Sequence, residues 1–196
     1  MIAQFLRHGS NALLAVLLVF IGVAFVTMGT SVVIWGFLLG MVIFFTSEYS
    51  THRFLFHAKP MKNAFILHLQ HRLHYDHHTE PDRLGLLFLP PWFVLPVFAL
   101  YGLVYLAITK QPALALSLLA GNLLALFYYE WVHYVAHVPF VPVTAYGKWI
   151  KKYHLLHHFK NEHFWFGVTN PSMDVLSRTY REKEDVTRSA TTRQLY

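Results

Sequence analysis

Four histidines stand in the eight residues 71–78, HRLHYDHH, and they belong to a larger pattern. The chain has 196 residues and 14 histidines, spread in small clusters rather than in one contiguous tag. His52 and His57 are five apart. His74, His77 and His78 read H-x-x-H-H, His133 and His137 are four apart, and His154, His157 and His158 repeat H-x-x-H-H. On a helix, positions i, i+3 and i+4 share a face, so each H-x-x-H-H triple projects three imidazoles from one stripe. His52 and His57 differ: five residues of a straight helix turn them roughly 140° apart. Either the helix is distorted there or the two rings serve different metals.

The ten residues suit two metals at five imidazoles each. That coordination favours iron or manganese over tetrahedral structural zinc. There is no cysteine, which removes disulfides, thiolate zinc sites, iron–sulfur clusters and cysteine nucleophiles. Two divalent ions among neutral imidazoles leave positive charge that carboxylates or a bridging hydroxide must offset. Glu48, Glu130, Asp82 and Asp174, with Asp76, are the nearby acids, expected to orient ring nitrogens rather than to react. An isolated histidine at a membrane boundary is usually only amphipathic, but four spaced groups in one small chain are poorly explained that way. His8, His68, His71 and His163 are read as non-ligands; His71, one helical turn before His74, is the closest to an exception.

The elements that must hold these groups are membrane-like. Hydrophobic residues make up 55% of the chain and charged residues only 13%, too apolar for an ordinary soluble domain. Residues 11–28 form an almost uncharged run, long enough to span the bilayer and longer than the core of a signal peptide. After a turn at 29–31, the segment 31–57 runs without Gly–Pro punctuation at its polar end. As one helix it measures roughly 40 Å, so its last turns should project into water with Glu48, His52 and His57. The run 84–108 is interrupted by Pro90, Pro91 and Pro96, predicting a break and then a spanning helix from about Trp92. A turn at 109–112 leads to a second overlong helix, 113–137, with Gly121 and Asn122 at mid-span where helices can approach closely.

Four crossings put both ends of the chain on one side. Of 16 Lys and Arg residues, only Lys110 falls in a predicted outer turn, so that side reads as cytoplasmic and the +6 charge as orientation rather than nucleic-acid binding. All the histidine clusters then share the cytoplasmic face. Residues 1–181 read as one domain and 182–196, poor in apolar residues, as a disordered tail. FWFG at 164–167 reads equally as the wall of an apolar channel or as interfacial anchoring. No Ser-His-Asp arrangement, P-loop or dinucleotide glycine motif is present.

The stretches EYSTHRFLFH at 48–57, HYDHH at 74–78, HYVAH at 133–137, HLLHH at 154–158 and WFGVTNP at 165–171 resemble the membrane fatty acid hydroxylase superfamily. HRFLFH followed by Ala58, Lys59 and Pro60 is most similar to its fatty acid 2-hydroxylase branch. The resemblance covers roughly residues 47–180. It implies an all-α integral membrane protein with four transmembrane helices and a cytosolic histidine-rich helical cap. It also implies a di-iron centre on His52, His57, His74, His77, His78, His133, His137, His154, His157 and His158, with O₂ as co-substrate and a lipid acyl chain hydroxylated at position 2. Zinc, beyond iron in the affinity order, can replace it in a purified sample.

The branch often carries a cytochrome b5-like domain for which the chain has no room, so a separate donor is expected, cytochrome b5-like or of the ferredoxin/reductase kind. Glu130 stands where the branch often has Asp. SMDVLSRTY, at 172–180, departs from a segment usually richer in Trp and Gly, which bears on Asp174. Sterol or carotenoid oxygenases and desaturases share these spacings and are the nearest alternatives. A membrane metal carrier or sensor would need ionisable groups within the spans, which are nearly free of them. A bis-histidine haem protein would not use so many histidines on one face.

Overall fold

A computed structural model of the chain describes residues 1–195. The elements in order are α1 (Ile2–Arg7), α2 (Gly9–Thr27), α3 (Ile34–Thr51), a π-helical turn π1 (His52–Phe56), α4 (Ala64–Gln70), a second π-helical turn π2 (His71–Tyr75) and α5 (Asp76–Thr79). They continue with α6 (Leu84–Leu87), α7 (Pro91–Thr109), α8 (Pro112–His137), α9 (Ala145–Phe159), α10 (Ser172–Leu176) and a 3₁₀ turn at Lys183–Asp185. No strand occurs among the described residues. Four helical stretches are long and apolar enough to cross a membrane: Gly9–Thr27, Ile34–Phe56, Leu84–Thr109 and Pro112–His137. The break expected near the paired prolines lies between α6 and α7, and Pro91 opens α7 at a position where a helix leaves its N–H unpaired in any case. α7 then ends on Lys110 with φ 55°.

The chain forms two compact units, each assembled from two separated stretches of sequence. Residues 1–45 and 89–130 make the first, and 46–88 and 131–196 the second.

In the first unit, α3 and α8 touch backbone to backbone. A Cβ added at Gly40 would lie 2.1 Å from the Leu118 carbonyl oxygen, and one at Gly121 2.0 Å from that of Phe37. Neither position accepts a side chain, which is the close approach expected around Gly121. Asn122 fixes the crossing by donating Nδ2 to the Gly40 carbonyl and the Tyr105 hydroxyl, both at 2.8 Å. Leu14, Phe44, Val94, Leu123 and Leu126 close the core of this unit.

The second unit holds all ten histidines singled out above. Its helices are short and end in turns stitched by side chains. Lys151, on α9, donates Nζ to the carbonyls of Val135, Val138 and Phe140 at 2.8, 2.7 and 3.0 Å. These belong to the last turn of α8 and the residues after it, where carbonyls have no partner within the helix. Burial pushes the Lys151 ammonium down from its ordinary pKa.

The expected disordered tail, over its described part 182–195, instead follows a bonded path along this unit. Val186, Thr192 and Leu195 are buried, and Ser189 and Thr191 bond to Glu162. Few apolar residues are needed there because polar side chains and backbone groups make the attachments. Tyr196 lies outside the described residues.

Candidate metal centre

The histidines converge in two groups of five. His52, His57, His74, His78 and His157 form the first pentad; His77, His133, His137, His154 and His158 form the second. Within each, one nitrogen per ring lies within 4.8 Å of all the others. Nine of the ten are buried, and His57 is partly so.

Local backbone geometry explains the membership. Over His52–Phe56 the helix widens to π, and the His57 N–H bonds the His52 carbonyl at 3.1 Å. That extra residue in the turn brings two rings expected about 140° apart on an ideal helix to a centroid separation of 5.0 Å. The sequence left a choice between a distorted helix and two different centres, and the helix is distorted. A second π turn, His71–Tyr75, leads into the first triple.

Each H-x-x-H-H triple is divided between the pentads. His74 and His78 serve the first pentad while His77 serves the second; His154 and His158 serve the second while His157 serves the first. Each pentad therefore takes a pair from the end of a long helix, an i, i+4 pair from one triple and a single ring from the other. The shared stripe expected for a triple is a shared face whose rings fan to two points. The His78 and His158 rings stack across the divide at 4.1 Å and 20°.

Three rings of the first pentad have their outward nitrogens bonded to backbone carbonyls. In the first pentad, His52 Nδ1 donates to the Phe166 carbonyl at 2.5 Å, His157 Nδ1 to that of Phe164 at 2.8 Å, and His78 Nδ1 to that of Thr192 at 2.9 Å. A carbonyl only accepts, so these Nδ1 atoms carry the protons. Burial, first of all, drives His78 down to about 3, and it holds His74 and His157 well below the ordinary imidazole range. The neutral rings of His52, His78 and His157 then turn bare Nε2 lone pairs inward. His57 Nε2 lies 2.8 Å from His74 Nε2 and 3.0 Å from His157 Nε2, and His52 Nε2 lies 3.2 Å from His74 Nε2. Converging lone pairs repel unless a cation sits among them, so the donor set fits a metal ion. In the second pentad the Nε2 pairs His133–His77 and His154–His137 are each 3.0 Å apart.

The carboxylates take different places. Asp174 accepts from the backbone N–H groups of Phe166 and Gly167 at 2.9 and 2.7 Å and from the Thr179 hydroxyl at 2.7 Å. Glu48 accepts from the N–H of Val168 and Thr169 at 2.7 and 3.1 Å and from the Thr169 hydroxyl at 2.5 Å. Both thus pin the loop 164–169, whose carbonyls hold His52 and His157. They orient rings through that loop and not by touching them.

Glu130 behaves otherwise than expected. Its Oε1 accepts the Leu89 N–H at 3.0 Å, at the α6–α7 break within the first unit, rather than orienting His133. Asp82 is exposed. Asp76 bonds His71 Nδ1 at 2.8 Å on the surface, outside both pentads. His8, His68, His71 and His163 belong to neither pentad.

FWFG is neither simply a channel wall nor an interfacial anchor. Trp165 and Phe166 are buried, and the Phe166 ring packs on His52, His57 and His157 at 5.7, 5.3 and 5.4 Å. The carbonyls of residues 164, 166 and 192 were missed from the sequence, because a backbone oxygen carries no residue signal. The acids Glu48 and Asp174 and the stretch WFGVTNP are the legible traces of that loop.

Known proteins are similar to this chain over most of its length. The chain is 34% identical over 155 residues to the fatty acid 2-hydroxylase of Rattus norvegicus, covering 79% of this chain and 41% of the relative. It is 34% identical over 174 residues to a ceramide very long chain fatty acid hydroxylase of Saccharomyces cerevisiae, covering 86% and 44%. It thus spans less than half the length of either relative. A solved structure described as full-length scs7p, with only the hydroxylase domain visible, superposes with a TM-score of 0.80 at 27% identity, covering 92% of this chain and 68% of that one. The fatty acid hydroxylase family pattern matches residues 37–179, a stretch that contains every histidine of both pentads. The chain belongs to the fatty acid hydroxylase family.

Proposed function

We propose that the chain hydroxylates the acyl chain of a membrane lipid at position 2, using O₂ and two iron ions, one in each histidine pentad. The observation that carries this reading is the convergence of ten imidazoles on two points in a chain with four membrane-length helices. Relatives named for 2-hydroxylation of fatty acids and for hydroxylation of ceramide fatty acids point to the substrate class.

His52, His57, His74, His78 and His157 would hold one ion, and His77, His133, His137, His154 and His158 the other. Bound there, iron would supply the activation of O₂ and the oxidation of an unactivated C–H bond, chemistry that amino-acid side chains lack. The chain's own residues supply neutral nitrogen donors, fixed ring orientations and dryness. Phe166 covers three rings of the first pentad, and Phe56 stacks on His74 at 5.3 Å and 18°. These apolar faces keep water from the first centre.

Turning C–H into C–OH with O₂ leaves one oxygen atom to become water, which consumes a pair of electrons and a pair of protons. The electrons come from a separate donor, cytochrome b5-like or of the ferredoxin/reductase kind. The distribution of Lys and Arg supports a cytoplasmic face for the pentads, and residues 1–181 are proposed to act as one membrane hydroxylase domain.

The test is mass spectrometry of total fatty acids from a host grown in air with iron. The host expresses either the intact chain or His133→Ala. A 2-hydroxy acyl product that appears only with the intact chain is expected. Full product from a folded His133→Ala variant would refute the ligand assignment, and a product hydroxylated elsewhere would refute the position.

A further inference from the structure

The segment 186–193 passes over the ends of the two H-x-x-H-H helices and bonds to both. At one end it meets the residues that follow α9. Ser189 N–H donates to the Lys160 carbonyl at 2.8 Å, and Asn161 Nδ2 donates to the Thr187 carbonyl at 3.1 Å. The Ser189 hydroxyl donates to Glu162 Oε1 at 2.9 Å, and the Thr191 hydroxyl donates to the same oxygen. Glu162 is itself buried, with 2% of its surface exposed, so these hydroxyls supply hydrogen bonds to one oxygen of a carboxylate that water does not reach.

At the other end the segment meets the last residues of α5. The Thr192 carbonyl accepts His78 Nδ1 at 2.9 Å. On the next residue, Arg193 Nη2 donates to the Thr79 carbonyl at 2.9 Å while the Thr79 hydroxyl donates to the Arg193 carbonyl at 3.1 Å. The Arg193 guanidinium also lies over the Phe159 ring, at the end of α9, 5.4 Å from its centroid.

The placement of these bonds matters because of how the triples divide. Each pentad borrows one ring from the other triple, so the distance between α5 and α9 sets the geometry of both centres. One bond goes further: it fixes the tautomer and tilt of His78, a member of the first pentad.

We propose that residues 186–193 are a positioning clasp that joins the two histidine triples and aims His78, and that the clasp governs how tightly the first pentad keeps its metal. The proposal rests on the pentads holding metal, as proposed above. Hydrogen-bond partners of ligating imidazoles typically change metal affinity about 10–100-fold when removed. The second pentad has no ring bonded to the clasp among the described residues, so the clasp reaches it through the α5–α9 distance alone and its retention should depend on the clasp less than that of the first.

The test is metal release to a chelator from the full chain loaded with iron, followed in the parent, in Ser189→Ala/Thr191→Ala, in Arg193→Ala and in a chain lacking residues 187–195. A His57→Ala chain identifies which kinetic phase belongs to the first pentad. In the parent, two ions per chain leave in two phases; failure of the parent to bind two ions would overturn the metal reading itself. With that established, the clasp predicts faster loss from the first pentad, about 10-fold or more in the deletion and less in the substituted chains, with the other phase changed less than about threefold. Equal acceleration of both phases in the substituted chains, or none in any variant, would overturn the clasp. The substituted chains keep their full length, so they decide the matter even if the deletion does not fold.

Discussion

The two pentads have the same parts and different surroundings. Each combines a pair from a long helix, an i, i+4 pair and one borrowed ring. Three rings of the first pentad are held from behind by backbone carbonyls, those of Phe166, Phe164 and Thr192. In the second, the outward Nδ1 atoms of His77, His154 and His158 are buried without a protein partner among the described residues. The first pentad is positioned by loops, the second by helices. Repeating a ligand pattern therefore does not repeat its environment: the carbonyl bonds fix tautomer and raise ligand basicity for three rings of the first pentad. We expect the first centre to exchange metal more slowly and the second more readily.

The strongest way to separate the centres is to remove one ring from each. His57→Ala should lower bound metal from two ions to one per chain, with hydroxylation down by at least about 100-fold. His77→Ala should do the same from the other side and leave the slowly exchanging ion in place. Metal analysis with chelator kinetics on both variants checks this; loss of the same ion in both would break the division of the first triple.

Next is the loop behind the first pentad. Asp174→Ala leaves the buried N–H groups of Phe166 and Gly167 unpaired, a cost of about 1–3 kcal/mol for each. Thermal unfolding should show that loss, and the first pentad should release metal about 10–100-fold faster than in the parent. A change confined to the second pentad would contradict the role given to the loop.

A smaller effect is expected at the second pentad from Lys151→Met. It removes three hydrogen bonds to the end of α8, which carries His133 and His137. Stability should fall by about 1–3 kcal/mol, with faster metal loss from the second pentad. The smallest effect is at His71, whose ring bonds Asp76 at the surface. His71→Ala should leave metal content and hydroxylation within about twofold, as for a surface substitution away from buried features.

What could be read from the sequence follows from what leaves a residue signal. Apolar runs marked the four long helices, Pro91 the restart of α7, and Gly121 the close crossing in the first unit, because each is a property of side chains. The ten histidines and their split into fives were also legible. Their exact sharing was not, because it depends on π turns at 52–56 and 71–75, and nothing in HRFLF or HRLHY differs in composition from an α-helical stretch. The path of 186–193 is illegible for a similar reason: its attachments are carbonyls, N–H groups and hydroxyls, and a segment held that way looks like a polar tail. The place of Glu130 is not legible because proximity in sequence to His133 does not make proximity of function: its carboxylate turns to Leu89.

The central claim is that one metal ion sits in each pentad. Element-specific anomalous diffraction from crystals of the iron-loaded full chain tests it most directly. The account predicts two peaks, one at metal–nitrogen bonding distance from the rings of His52, His57, His74, His78 and His157 and one at that distance from His77, His133, His137, His154 and His158. A single peak shared by both groups, or a peak held by His71 or His163 in place of a pentad member, would contradict it.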